Sequence, residues 1–520
     1  MNRGLALGLL LLAAGALVLR LPRLDARPMH CDESVQAIKF LGLWQEGTYR
    51  YDPNEYHGPL LPYATLPFAW LSGARDAAHL DEATLRLVPV TFGTGLILLL
   101  LLLADGLGRR ATLGAGLLTT LSPGMVYYSR YYIHEMALVG FTLLLIGAGW
   151  RYARRPRLGW ALLAGAAVGL MYATKETFVF TLAALALAAA GTLLWRRWVD
   201  GGAMEARPEL RLSHWLAAAA VALAVGVLFF SSFFTNASGP LDSLRTYLPW
   251  LRRAGGASPH IHPWYFYLER LGWFHEGKGP VWSEGVILVL AAIGGGAALG
   301  RRVPGGGSPT LLRFLTFYTV VLTAIYSAVA YKTPWCALSF LAGMILLAGA
   351  GAVVVLEACR GRWRRGLVGS VLVLALSHLG FQAWRAAYPY AADPRNPYVY
   401  AHTSPDILRL IHELDALAAA DPQGRQVLIK VIAPGGDYWP LPWYLRGFAR
   451  VGWWNALPAD PYAPMMIVGA KLNAELDEKS EKQWVMTGLY ELRPRNFVEF
   501  YVQFGLWKKY VESLPRPRDD

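Results

Sequence analysis

"LALGLLLLAAGALVLRLPRLDARPMHCDESV", residues 5–35, runs from an unbroken apolar stretch into two adjacent acids, Asp32 and Glu33. The apolar part approaches the ~20 residues needed to cross a hydrocarbon core of ~30 Å. Its flank, RLPRLDARP, has no small-residue cleavage site, so the stretch reads as a retained first span and not as a signal peptide.

Working outward, apolar runs recur at about 84–104, 111–128, 136–150, 159–174, 177–195, 214–235, 284–300, 311–330, 334–356 and 366–385. With the first at about 4–20, these predict a polytopic α-helical membrane protein of about eleven spans. The segment GPLLPYATLPFAWLSG, 58–73, carries three prolines and reads as an interfacial or partly embedded helix. A composition of 55% hydrophobic and 16% charged residues over 520 positions excludes a string of soluble domains.

The net charge of +13 would suggest nucleic acid in a soluble protein. Here the excess lies in short loops: Arg109 and Arg110; Arg151, Arg154, Arg155 and Arg157; Arg196, Arg197, Arg207 and Arg211; Arg301 and Arg302; Arg360, Arg362, Arg364 and Arg365. That is the membrane-orientation signal, with these loops cytoplasmic, and no nucleic-acid partner is expected. Cys31, Cys336 and Cys359 have neither zinc-site spacing nor the density of a disulfide scaffold.

The remaining loops then face outward. They carry Asp32 and Glu33; "YSRYYIHE", 128–135; "TKET", 174–177; the stretch 236–282; and "YKTPW", 331–335. Charges at bilayer depth cost about 2.5–3.5 kcal/mol each on insertion scales, so their collection at several helix ends predicts a shared wet cavity.

From residue 386 the pattern turns polar. A helix near 404–420, "QVLIKVI", "PMMIVGA" and "WVMTGLYEL" predict one α/β domain, 386–520, on the outer side, after a membrane domain, 1–385, whose first outer loop is 21–83. No repeat of fixed period is visible.

Adjacent side chains diverge on most backbones, so Asp32 and Glu33 do not form a matched pair on one atom. Either one caps the amphipathic segment SVQAIKFLGLWQ, or one serves as a general base; local sequence leaves both open. Tyr56 and His57 in "YRYDPNEYHGPLLPY" are candidate contacts to a substrate or acceptor, as are His30, His134 and Glu135. Lys175 interrupts an apolar stretch; it either snorkels from a tight hairpin or, with Arg130 and Lys332, holds the phosphate of a lipid-borne substrate.

The order of these motifs resembles the GT-C glycosyltransferases, especially protein O-mannosyltransferases and aminoarabinose transferases. The resemblance rests on "DE" after the first span, "SPGMVYYSRYYIHEMAL", "GLMYATKETFVF" and "YSAVAYKTPWCALSFL", and covers residues 1 to about 350. "HGPLL", "YYSRYYIHE", "ATKET", "YKTPW" and "NPYVYAHTSPD" together resemble the prokaryotic flippase-activity-associated protein family.

The resemblance implies Asp32 as catalytic base with Glu33 as its acidic neighbour. It places Glu135 where mannosyltransferases carry Asp, matches Arg130 to the Arg of that motif, and puts Lys175 at the lipid-phosphate end of the donor. The implied reaction is inverting transfer of a sugar from a polyprenyl-phosphate donor to a protein, glycan or lipid acceptor, at the outer face of a prokaryotic cytoplasmic membrane. The alternative is a non-catalytic flippase component handling lipid-linked sugars. Mg²⁺ or Mn²⁺ would suit oxygen ligands such as Asp32 and Glu135, but no metal is assigned.

Overall fold

The computed structural model describes residues 3–55, 57–201, 211–254, 258–300 and 304–514. Tyr56 and the loop arginines Arg207, Arg301 and Arg302 lie outside the described residues. The chain packs as two compact units: Met1–Leu24, Glu46–Phe68 and Ala83–Tyr400 form the first, and Asp25–Gln45, Ala69–Glu82 and Ala401–Asp520 the second.

The first unit is helical. Eight helices among the described residues are long and apolar enough to cross a membrane: Arg3–Arg20, Glu82–Leu102, Glu135–Arg154, Phe178–Trp198, Leu212–Phe230, Pro309–Ala328, Pro334–Ala358 and Arg362–Ala387. The other three runs are also helical but shorter. Leu158–Thr174 has 17 residues and Gly285–Leu299 has 15. The run 111–128 is split into Arg109–Leu121 and Pro123–Tyr128, where Ser122 supplies a side-chain cap and Pro123 a helix start without an N–H. The proline-rich segment forms one helix, Leu60–Ser72.

Small residues set how closely these helices approach. A Cβ on Gly294 would fall 2.1 Å from the Leu347 carbonyl, and one on Gly351 would fall 1.9 Å from that of Leu290. Helices Gly285–Leu299 and Leu338–Ala358 therefore meet backbone to backbone, as small-residue faces allow in a membrane. The segment Pro334–Ala358 is 78% buried over its most apolar window and forms the middle of the unit; Leu212–Phe230, at 6%, turns nearly its whole surface outward.

Charges sit at helix ends. Glu135 opens a helix that closes on Arg151 and Arg154, and the helix beginning at Phe178 closes on Arg196 and Arg197. Each arrangement also suits the helix dipole.

The second unit contains a five-stranded mixed sheet in the order β2-β1-β3-β5-β4. The strands are β1 (Ile429–Ile432), β2 (Val451–Trp454), β3 (Met465–Gly469), β4 (Trp484–Arg493) and β5 (Asn496–Gln503). β1 runs parallel to β2 and β3, whereas β5 is antiparallel to β3 and β4. Helix Asp406–Ala420 buries Ile407, Leu410, Leu414 and Leu417 against Val431, Ile467 and Phe500.

Unlike the sequence-based division at 385/386, this unit draws chain from both flanks of the first loop. Helix Cys31–Glu46 and the segment 69–82 pack with residues after 400.

Candidate active site

In the membrane unit, the apolar stretch 158–198 breaks at Lys175 and Glu176, where Lys175 is extended between two helices. Its Nζ bonds to Glu135 Oε1, and both side chains are buried. Next to them, Glu176 Oε2 accepts from His57 Nδ1 at 3.0 Å. The His57 ring lies 4.8 Å, centroid to centroid, from that of His134, the residue before Glu135.

Gly58 makes this meeting possible. Its N–H donates to the Thr174 carbonyl at 3.1 Å, and a Cβ there would stand 2.0 Å from the Ala173 carbonyl. The motifs "HGPLL", "YIHE" and "ATKET" are thus one constellation, buried except at the partly exposed His57 ring.

The electrostatics follow from this pairing. Burial opposes the charge on Lys175, but the neighbouring Glu135 and Glu176 carboxylates outweigh it and raise the ammonium well above its usual pKa. Burial likewise opposes the Glu176 carboxylate, yet His57 and Lys175 hold its pKa below the usual value.

The other predicted cations bind backbone. Arg130 donates to the carbonyls of Arg20 at 2.6 Å, Pro22 at 2.7 Å and Arg23 at 3.0 Å, and lies over the Tyr388 ring. It thereby terminates the first helix, satisfying carbonyls that helix geometry leaves open. Lys332 Nζ donates to the carbonyls of Val329 and His262.

Two residues missed by sequence reading belong to this unit. Glu284, wholly buried, accepts from Ser122 Oγ at 2.5 Å, the Gly124 N–H at 3.0 Å and the Tyr398 hydroxyl at 2.7 Å. An acid at the edge of a predicted span was the available signal, because such groups are costly unless used. Arg270 lies 4.3 Å from the Phe266 ring centroid and 4.9 Å from that of Phe274. Its Nε is buried without a hydrogen-bond partner among the described residues, at a pocket also lined by Tyr128, Tyr267, Pro334 and Tyr398.

In the second unit, the helix start turns the adjacent acids in different directions, Glu33 inward and Asp32 outward. Cys31 is the first residue of its helix, so Glu33 is the third and reaches back: Oε2 accepts the His30 N–H at 3.0 Å while Oε1 pairs with Arg27 at 3.0 Å. His30 Nδ1 in return accepts the Asp32 N–H at 3.0 Å. This is a reciprocal cap with histidine in the usual Ser/Thr place. Glu33 is therefore fully buried, and the capping reading of the pair falls to it. The Asp32 side chain remains 51% exposed, with its nearest oxygen 3.9 Å from His30 Nδ1.

Among the described residues no group of three or more His, Cys, Asp or Glu comes together in a way that could hold a metal ion.

The sequence and the fold both have counterparts. Residues 57–238 match the family model of dolichyl-phosphate-mannose-protein mannosyltransferase, a segment that includes His57, Arg130, Glu135, Lys175 and Glu176. ArnT from Cupriavidus metallidurans, solved bound to undecaprenyl phosphate, is similar with a TM-score of 0.58 at 17% identity, covering 98% of this chain and 99% of that one. The archaeal oligosaccharyltransferase AglB from Archaeoglobus fulgidus, solved with an inhibitory peptide and a dolichol-phosphate, is similar with a TM-score of 0.56 at 13% identity. That match covers 86% of this chain and 64% of AglB. No curated protein matches the chain by sequence. With eight helices long and apolar enough to cross a membrane among its described residues, the chain has an ArnT-like GT-C fold along nearly its whole length, and over residues 57–238 it is similar in sequence to the dolichyl-phosphate-mannose-protein mannosyltransferase family.

Proposed function

We propose that the protein transfers a sugar from a polyprenyl-phosphate donor to an acceptor hydroxyl or amine at the extracytoplasmic face of a prokaryotic cytoplasmic membrane, inverting the anomeric centre. The observation that carries this reading is the buried Lys175–Glu135 pair with the partly buried His57–Glu176 pair beside it, a constellation that joins three motifs of the family-matched segment at helix ends.

Asp32 is the proposed base. Its exposed carboxylate takes the acceptor proton while the acceptor oxygen or nitrogen bonds to the anomeric carbon from the side opposite the leaving group. The anomeric carbon–oxygen bond breaks, and polyprenyl phosphate departs with the electron pair. Cations stabilise the charge that grows on this phosphate.

Lys175 is proposed for that role, with its charge secured by Glu135. Arg270 is proposed to join it, having a buried Nε without a hydrogen-bond partner among the described residues and lining a pocket. Arg130 and Lys332 are proposed to act indirectly, since each is held by backbone carbonyls. Glu33 orients the turn that carries Asp32.

A transport reading would place polar groups near the middle of the helices. Here Glu135, Lys175, His57 and Glu284 all flank helix starts or breaks, which favours surface chemistry. Asp32 and the second unit are proposed to face outside with them, on the strength of the arginine-rich opposite helix ends.

The test is reconstitution in lipid nanodiscs and, in parallel, in sealed vesicles, with undecaprenyl-phosphate hexose and pentose donors and membrane extract as acceptor. The expected result is sugar transfer giving product of inverted anomeric configuration by NMR. Retained configuration, or movement of intact donor across vesicles without transfer, would overturn the reading.

A further inference from the structure

The second unit holds the turn that presents Asp32 through contacts from residues more than 350 positions away in sequence. The Met29 N–H donates to the Tyr444 hydroxyl at 2.8 Å, and its carbonyl accepts from Thr403 Oγ1 at 2.6 Å. Cys31 Sγ lies 3.6 Å from the Trp439 carbonyl, which accepts its thiol proton. Ser34 Oγ donates to the Pro440 carbonyl at 3.2 Å. Asp32 stands between the last two anchors, its own side chain left to solvent.

Those anchoring carbonyls belong to the loop 433–440, "APGGDYWP", which follows β1. The loop is itself pinned at one residue. Asp437 Oδ2 accepts from Lys471 Nζ at 2.8 Å, and Oδ1 accepts from Arg493 Nη2 at 3.2 Å. The Asp437 backbone carbonyl takes Asn496 Nδ2 at 2.8 Å and Arg493 Nη2 at 3.4 Å. Arg493 and Asn496 flank the tight β4–β5 connection, so the pin is mounted on the sheet. Arg493 also acts on Cys31: burial pushes that thiol up to about 11, and the guanidinium partly opposes the shift.

The same chain segment grips the far flank of the first loop. Trp443 Nε1 donates to Glu82 Oε1 at 2.7 Å, and Arg446 Nε to the Ala77 carbonyl at 3.0 Å.

We propose that Asp437 and Arg493 are positioning residues for glycosyl transfer: they fix the 433–440 loop, whose Trp439 and Pro440 carbonyls hold Cys31 and Ser34 and so set the direction of the Asp32 carboxylate. The C-terminal α/β chain is then part of the catalytic apparatus. The proposal rests on Asp32 being the base.

Cys31 makes the proposal measurable, because its thiol is a native reporter one residue from Asp32. Full-length Asp437→Asn, Arg493→Gln, Arg493→Lys and Ser34→Ala variants are compared in nanodiscs. The readouts are kcat and donor KM with an undecaprenyl-phosphate sugar, and the rate at which N-ethylmaleimide alkylates the Cys31 peptide by mass spectrometry.

A base displaced by about 1 Å costs on the order of 100-fold in rate. Asp437→Asn and Arg493→Gln are therefore expected to lower kcat by about 10- to 100-fold and to leave donor KM within about twofold, and Asp437→Asn, which keeps the guanidinium beside Cys31, is expected also to speed Cys31 alkylation. Arg493→Lys should recover part of the lost kcat, and Ser34→Ala should show a smaller change in the same sense. If a charge variant fails to accumulate, Ser34→Ala decides alone.

An unchanged kcat with faster alkylation overturns the proposal, as does a lowered kcat in Asp437→Asn with Cys31 still protected. Asp32→Asn run in parallel separates the two levels. Loss of transfer there, with none in Arg493→Gln, removes only the positioning role; full transfer in Asp32→Asn removes the base and this proposal together.

Discussion

Lys175 in the membrane unit and Asp32 in the second unit keep a charge in place by opposite means. Lys175 is buried and bonded directly to Glu135, with Glu176 and His57 as neighbours. Asp32 has a half-exposed carboxylate, and its fixity comes from the backbone turn beneath it. The difference fits the two proposed tasks. A phosphate-binding charge gains from a dry surrounding in which Coulomb forces are strong, whereas a base must meet water and acceptor and change its protonation each cycle.

The largest effect expected from breaking this contrast is on stability in the membrane unit. Removing one partner of a buried ion pair strands the other, so Glu135→Gln or Lys175→Met should destabilise by about 3–5 kcal/mol. Thermal unfolding in detergent checks this, and the double variant should recover part of the loss. Equal stability of the single variants would show the pair to be wet. Gly58→Ala tests the same region sterically, where the added methyl meets the Ala173 carbonyl. A loss of about 1–3 kcal/mol is expected, with transfer falling in parallel.

In the second unit the expected stability changes are smaller. Glu33→Gln removes the partner of Arg27 and weakens the cap on His30, costing about 1–2 kcal/mol. Asp32→Asn should leave unfolding almost unchanged while abolishing activity, which is the sharpest form of the contrast.

Acid sensitivity should also divide the two units. Glu176 has its pKa held below the ordinary 4.5, so its stabilising effect is complete above pH 4.5 and is lost as the pH falls through the lower folded value. Glu176→Gln should flatten that part of the acid-unfolding curve. An unchanged curve would remove the His57–Glu176 bond as a source of stability.

Much of this was legible in the sequence for local reasons. Apolar length marked all eight helices among the described residues that are long and apolar enough to cross a membrane, and three further runs that form shorter helices or break at Ser122–Pro123. Helix Asp406–Ala420 lies where the sequence predicts one near 404–420, β1 lies in the β-rich "QVLIKVI", and β3 and β4 lie in the apolar runs "PMMIVGA" and "WVMTGLYEL". β2, only four residues with an exposed Trp453, lacked a pattern long enough to register. In β5, Phe497 and Gln503 face out while Val498 and Phe500 face in, an alternation that was present but not assigned.

The site was legible as a set of residues and not as a set of pairs. Nothing local to "TKET" shows that Lys175 meets Glu135 rather than a ligand, because that bond spans 40 residues. Nor does "SRY" reveal that Arg130 closes the first helix. The acids of "HCDESV" were separable in principle: Glu33 lies three positions after a capping residue, but histidine in the capping place hid the motif. Least visible was the grouping of helix Cys31–Glu46 with chain beyond residue 400, a tertiary fact carried by single hydrogen bonds.

The most direct test of the central claim is single-turnover sugar transfer from an undecaprenyl-phosphate donor by purified Asp32→Asn beside the parent protein, with donor binding measured in the same nanodiscs. Loss of general-base catalysis predicts a fall of about 10²- to 10⁴-fold at unchanged donor affinity. Transfer at the parental rate by a normally folded Asp32→Asn protein would contradict it.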